Sequence, residues 1–278
     1  MADLTIAYRI FPGISKAPPI FGDDKLRLSE LCLKSFVRAL GRLDYKLYAF
    51  LDSCPAEYER LFEKYVPAER LEIVRLTAAG NPGSFGAQLD LLSEIRDSRY
   101  VYFAEDDYFY LENAMAEAVQ FMDAHLGIDL LTLYDHPDYY SHPLHRHSRD
   151  VIHFGDREWK SGATTCMTFL GRPESIASLR NAFSNYARKD YDNAMWLSIT
   201  RRRLHNPFYL LRHICDKSTL KMFAKGWLHT PLRNLFGRRN KLYVPTPSLA
   251  NHLDGTHDAP GIDWQTEYER LINSAFDD

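Results

Sequence analysis

Strand and helix alternate four times within the first 110 residues, and this alternation restricts the fold more than any other feature of the chain. Short runs rich in β-branched and aromatic residues occur at 4–10, 45–51, 71–76 and 100–104, the composition expected of strands. Between the first two, Leu28, Leu31, Cys32, Ser35, Phe36, Ala39 and Leu40 recur at helical spacing, and Gly41 stands where a C-terminal cap belongs. Pro55 suits a first helical position, and a third helix is expected over 84–97. Such an order builds a mostly parallel sheet with helices on both faces. Ligands of these sheets bind at the carboxyl ends of the strands, so the residues just after each strand are the ones to question. Further on, the pattern predicts a helix over 111–125, a strand over 128–134, a strand region over 159–170, and helices over 173–187 and 191–204.

With 45% hydrophobic and 13% aromatic residues the chain can fill a core without staples. A formal net charge of −3 speaks against a general nucleic-acid binder. Cys32, Cys54, Cys166 and Cys215 are far apart and form no CxxC pair, which argues against a zinc ribbon or disulfide framework and suits a reducing cytosol. The start MADLTIAYRIF lacks the charged-then-apolar order of a signal peptide, and nowhere do 18 apolar residues run together. A cytoplasmic protein that does not span a membrane is expected. Its organisation is expected to be one catalytic domain over 1–200 followed by a basic helical appendage and tail over 201–278.

The sharpest chemical signal is YVYFAEDDYFY at 100–110, where a buried-looking strand ends in Glu105, Asp106 and Asp107. Adjacent carboxylates repel one another unless a cation or hydrogen-bond donors gather there. A solvated turn capping the next helix is the plainer reading. Upstream, Asn81 and Gly83 form a Gly/Asn turn after the third strand, followed by Ser84 and a helix.

In this order of elements the chain resembles the nucleotide-sugar glycosyltransferases of GT-A fold, especially the large inverting family. Its members carry an Asn-x-Gly turn, a helix, and a strand closing on an Asp-x-Asp-like cluster; here the cluster reads Glu-Asp-Asp. The resemblance spans about 4–110 and, more loosely, 155–205. It implies a sugar moved from a nucleotide-diphosphate donor, UDP by family frequency, to a hydroxyl on a glycan or lipid-linked glycan, as in polysaccharide biosynthesis. Mn²⁺ or Mg²⁺ is the implied cofactor. A departing diphosphate gains negative charge, and a divalent cation on carboxylates neutralises it. Asp107 is the first choice of ligand, with Glu105 and Asp106 completing the shell or holding ribose.

The resemblance also implies donor contacts from Arg9, Phe11 and Pro12 after the first strand and from Asp52 after the second. Asp52 reads equally well as a helix cap before Pro55. An inverting transferase needs a general base, which the family supplies from a pattern similar to KDYDNAMWLSI at 189–199. Asp192 fits the spacing, and Asp190 stays open; a helix cap is the alternative role for either. Asp135, His136, Trp159 and Gly162 are candidates for the acceptor side, Trp159 by stacking on a sugar or simply as core. His136, His142, His145, His147 and His153 crowd one segment that reads as a solvated loop or a zinc site. GT-A enzymes often return a C-terminal residue to the metal: His252 is the candidate and His257 the reserve. An imidazole there favours manganese.

From 201 to 241 the chain holds eleven Lys or Arg and one acid, Asp216, interleaved with apolar residues. The mixture suits an anionic membrane surface, bringing the enzyme to the inner face of a membrane, or basic helices packed on the domain. Two rival functions share these features: a metal-dependent phosphoesterase or nucleotide-sugar hydrolase, and a noncatalytic carbohydrate-binding protein.

Overall fold

The computed structural model describes residues 1–14, 16–145, 149–188, 192–213 and 215–274. In chain order the elements are β1 (Ala2–Ile10), α1 (Lys25–Leu40), β2 (Tyr45–Asp52), α2 (Ala56–Tyr65), β3 (Leu71–Leu76), α3 (Gly80–Leu92), β4 (Ser98–Glu105) and β5 (Tyr108–Tyr110). Then come α4 (Ala114–Ala124), β6 (Leu130–Leu131), α5 (Asp138–Ser141), β7 (Val151–Phe154), β8 (Arg157–Gly162), β9 (Phe169–Gly171), α6 (Pro173–Ala187) and α7 (Asp192–Thr200). The chain continues with α8 (Pro207–Arg212), α9 (Lys217–His229), α10 (Pro231–Phe236), β10 (Leu242–Thr246), β11 (Ala250–His252) and α11 (Trp264–Asn273).

Among the described residues, nine strands form one sheet in the order β3-β2-β1-β4-β9-β6-β10-β8-β7. The pairs β1/β2, β1/β4, β2/β3 and β6/β10 are parallel, while β9 and β8 run against their neighbours. This is the α/β class with a mostly parallel sheet that the alternation predicts. Successive side chains of a strand point to opposite faces, and β1 and β4 feed two cores accordingly. Leu4, Ile6, Tyr8, Tyr100 and Tyr102 join the face covered by α1. Ala7, Val101 and Phe103 join the face covered by α3 and α6. Phe36 from α1 stacks on Tyr102 with ring centroids 5.8 Å apart, and Phe103 stacks on Phe169 at 4.5 Å. Buried Gln88 of α3 ties the two central strands, donating to the Ala7 carbonyl at 2.6 Å and the Ala104 carbonyl at 3.0 Å.

Several expected boundaries differ. α3 starts at Gly80, so Asn81 and Gly83 stand in its first turn and not in a turn before it. The cause is Asp52, whose carboxylate accepts from the amides of Ala79 at 3.0 Å and Gly80 at 2.7 Å and fixes the helix start from the neighbouring strand. The strand expected over 128–134 is reduced to Leu130–Leu131. The region 159–170 is two strands, because the chain crosses the sheet between them: β8 pairs with β10 and β7, whereas β9 pairs with β4 and β6. The boundary expected at residue 200 cuts the sheet, since β10 is hydrogen-bonded between β6 and β8. Separately, β11 pairs antiparallel with β5. Among the described residues no helix is long and apolar enough to cross a membrane.

Candidate active site

Strand order reverses beside β1: β2 and β3 lie on one side and β4 on the other. Open α/β sheets bind ligands at the carboxyl ends of the strands flanking such a switch. A cavity of about 290 Å³ opens there, lined by Arg9, Phe11, Asp52, Asn81, Ser84, Glu105, Asp106 and Asp107. Pro12 and Gly83 stand outside its lining. The N-terminus of α3 faces the cavity through Gly80 and Asn81, with the Asp52 carboxylate already on the amides of Ala79 and Gly80.

Each carboxylate of the acidic run has its own partner. Glu105 is ion-paired with buried Arg9 and accepts from the Thr168 hydroxyl at 2.7 Å. Arg9 is held in place by the Asn81 carbonyl at 2.8 Å and Ser84 Oγ at 3.2 Å. Asp106 meets Lys25 Nζ at 2.7 Å and accepts from the amide of Phe11 at 3.2 Å. Burial, with the charge of Asp107, outweighs Lys25 and pushes the Asp106 carboxyl above its usual range. Asp107 Oδ2 stands 3.1 Å from His252 Nε2. Burial pushes Asp107 up, but His252 prevails and brings it down to about 2. The other oxygen, Oδ1, is buried without a hydrogen-bond partner.

The pairing of β11 with β5 sets this meeting, because His252 lies opposite Tyr108 in register and stacks on its ring at 4.7 Å. His257 stands further off, its Nδ1 2.8 Å from Asp254. Asp254 also accepts from Lys16 at 3.1 Å and lies 3.7 Å from His252 Nδ1.

The donor set of Asp107 and His252 fits a divalent cation. Their facing atoms, 3.1 Å apart and hydrogen-bonded to each other, are close enough for one cation to contact both. The unpartnered Oδ1 of Asp107 is a further oxygen with no competing bond. Among the described residues no group of three His, Cys, Asp or Glu gathers around a metal position. Asp107 and His252 are thus the residues that would hold such a cation.

A second cavity of about 250 Å³ is lined by His136, Tyr139, His142, His145, Thr164, Cys166 and Asp192, among others. Asp192 stands at the start of α7, its carboxylate accepting from the Asn193 amide at 2.6 Å. Burial, reinforced by the charge of Glu105, raises its pKa despite that bond. Cys166 links the two cavities electrostatically: burial lifts its thiol to about 12, and Glu105, Asp192 and Asp107 all add to the rise.

Not every candidate gathers here. Asp135 is fully buried and does not line the cavity, accepting from the Tyr140 hydroxyl and from Thr246 Oγ1 at 3.2 Å. Trp159 is core: its ring stacks on Phe121 at 4.0 Å, and its indole nitrogen donates to the Phe154 carbonyl at 3.3 Å. Gly162 lies at the far end of the sheet, opposite Leu242. His153 belongs to β7, outside the cavity. Asp190 and His147 fall outside the described residues.

Lys25, Lys16 and Thr168 escaped the sequence reading. Lys25 did leave a signal: it opens a helix whose first turn has no acid, where the helix dipole disfavours a cation unless an anion waits nearby. Thr168 left none.

No protein-family model matches the sequence. No curated protein matches it either. Among solved structures, the galactosyltransferase LgtC in complex with donor and acceptor sugar analogues superposes with a TM-score of 0.47 and 11% identity, covering 98% of this chain and 98% of that one. The TarS fragment 1–349 of S. aureus in complex with UDP gives 0.45 and 12%, over 70% of this chain and 54% of the fragment. The apo form of the glycosyltransferase GlyE from Streptococcus pneumoniae TIGR4 gives 0.45 and 10%, over 98% of this chain and 60% of that one. The chain thus spans about half of the TarS fragment. Superpositions this loose leave the activity to be argued from the side chains themselves.

Proposed function

We propose that the protein is a glycosyltransferase that moves a sugar from a nucleotide-diphosphate donor, UDP in the first instance, to a hydroxyl of a glycan or lipid-linked glycan with inversion. One observation carries the reading: at the topological switch point Asp107 and His252 present a two-ligand set with a spare carboxylate oxygen, flanked by Arg9 and Lys25. Asp107 and His252 would hold Mn²⁺ in preference to Mg²⁺, since an imidazole nitrogen suits manganese better. When bound, the cation supplies charge neutralisation to the departing diphosphate. Arg9 and Lys25, each held by a carboxylate of the acidic run, would be the cations nearest the phosphates, while Phe11, Asp52 and Asn81 border the nucleoside.

The acceptor occupies the second cavity, beside His136 and Thr164. Asp192 takes the proton of the acceptor hydroxyl as its oxygen bonds to the anomeric carbon and the bond from that carbon to the diphosphate oxygen breaks. A raised pKa suits a carboxylate that must accept a proton. A two-metal phosphoesterase would need Glu105 and Asp106 free for a second ion, and both are instead paired with cations.

The 201–241 segment is proposed to rest on the anionic inner face of a membrane, with the catalytic body in the cytoplasm. Phe208, Leu211, Leu228, Leu232, Leu235 and Phe236 are exposed among its basic residues, a composition that suits the interface.

Incubation with a panel of nucleotide sugars and Mn²⁺ tests the reaction. The expected result is sugar-specific release of nucleoside diphosphate that an acceptor glycan stimulates. Release indifferent to acceptor would mean a hydrolase, and donor binding without release a noncatalytic protein.

A further inference from the structure

The sheet that carries the donor cavity at the carboxyl ends of β1, β2 and β4 has another cavity on its opposite edge, beside different strands. It measures about 160 Å³ and lies where β10 begins at Leu242 and β8 ends at Gly162. Drug-sized ligands occupy roughly 300 Å³ or more, so this space suits a single small group. Three cations line it, Arg202, Arg239 and Lys241, against one carboxylate, Asp150.

The charges here are unequally matched, unlike those of the donor cavity. Arg202 is held by protein: its side chain is 12% exposed and its guanidinium donates to Ser161 Oγ at 2.6 Å and Asp150 Oδ2 at 3.3 Å. Arg239 and Lys241 have no salt-bridge partner among the described residues. Between them Asn240 also lines the cavity, and its buried amide nitrogen has no hydrogen-bond partner. Burial lowers the pKa of Arg202, and the charge of Arg239 lowers it further, the mark of like charges held together. An anion between them would relieve that repulsion and meet several donors at once.

We propose that this cavity is a second binding site, separate from the donor site, for a phosphate group carried either by a lipid headgroup or by the free anion. Its position favours neither the donor nor the acceptor of sugar transfer, because it opens at the opposite edge of the sheet. The lipid source gains support from the chain around it. In sequence, Arg202 and Arg239 bracket the segment that exposes Phe208, Leu232 and Phe236, so cations of the cavity and exposed apolar side chains belong to one stretch of chain. Interfacial proteins combine these two features. The proposal is independent of the transfer chemistry, and its test does not use turnover.

Calorimetric titration with inorganic phosphate at physiological ionic strength, on the full chain, reads the site directly. Saturable binding should weaken by about tenfold or more in Arg239→Gln/Lys241→Gln, as expected when two charge-assisted contacts are lost, and should persist in Lys25→Gln. Both cavity residues are exposed, so an unchanged melting temperature checks that the double variant is folded. Equal binding in the double variant and wild type, loss in Lys25→Gln instead, or no saturable binding at all would each overturn the proposal. Vesicles of phosphatidylcholine with and without phosphatidic acid separate the two sources. Retention on phosphatidic acid that the double variant loses and inorganic phosphate displaces identifies the lipid, whereas phosphate binding without vesicle retention identifies the free anion. Vesicle retention that phosphate cannot displace would speak for diffuse charge and against the site.

Discussion

Around the donor cavity Glu105, Asp106 and Asp107 each face a cation or a ring nitrogen, whereas Asp192 in the acceptor-side cavity has the amide of Asn193 and no cation among the described residues. The first arrangement fixes charge where the partner prevails: His252 brings Asp107 down, so that carboxylate stays ionised and can face a metal or a diphosphate, whereas burial raises Asp106 despite Lys25. The second leaves a carboxylate whose burial makes it more basic, which suits proton transfer. On the proposed function, binding of charge and movement of a proton fall to different cavities, and the contrast can be attacked by substitution.

Asp107→Ala should have the largest effect, reducing turnover by at least about 10³ and weakening donor binding, because the spared oxygen and the His252 contact vanish together. Its melting temperature should stay near wild type. Substantial activity with normal donor affinity in this variant would dissolve the metal half of the comparison. Next comes Asp192→Asn, expected to lower kcat by a factor on the order of 10² while nucleotide affinity holds. The pH dependence sharpens this. A raised folded pKa means the base becomes protonated, and the rate falls, as pH drops through a value above the ordinary aspartate range. That acid limb should disappear from the pH profile of Asp192→Asn; a limb that survives unchanged belongs to another group.

A smaller effect is expected for His252→Ala: donor affinity in Mn²⁺ should fall by about tenfold and the preference for manganese over magnesium should narrow. His257→Ala should keep both, since His257 bonds Asp254 and not Asp107. Identical metal titrations for the two variants would remove His252 from the ligand set. Least of all should Trp159 matter to chemistry. Trp159→Ala should cost about 3–5 kcal/mol of stability as a core truncation, and the acceptor KM should not move. A raised KM in a folded Trp159→Ala protein would reopen the acceptor role its sequence position suggested.

Legibility in the sequence followed the range of the forces involved. β1 to β4, α1 and α6 could be read because each is a local repeat of apolar spacing whose burial is decided by its own neighbours. The start of α3 could not, since its cap is Asp52, on another strand. Nor could the two-residue β6 or the split of β8 from β9, which exist only through pairing with distant strands. At the site, the acidic run announced itself by clustering like charges, but the partners that make it tolerable were hidden. Lys25 lies 81 residues before Asp106 in the chain, by their numbers, and His252 meets Asp107 across a separation of 145. His252 and Asp107 were each singled out through a resemblance; the register that joins them, His252 opposite Tyr108, is a tertiary fact.

The place of β10 has a consequence for the timing of synthesis. As the chain leaves the ribosome, β1, β2, β3 and β4 can pair as they emerge, and the nucleotide platform can form early. β6 and β8 cannot be joined until Leu242–Thr246 has been translated, and only after that does β11 bring His252 to Asp107. Long-range strand insertions of this kind are slow because loop-closure entropy is spent before the contacts form. On the proposed function, the nascent protein would thus hold a shaped donor pocket with Asp107 in place and His252 still to come. Competence for the proposed transfer waits on β11, so a product that stops before Ala250 would occupy a donor without consuming it.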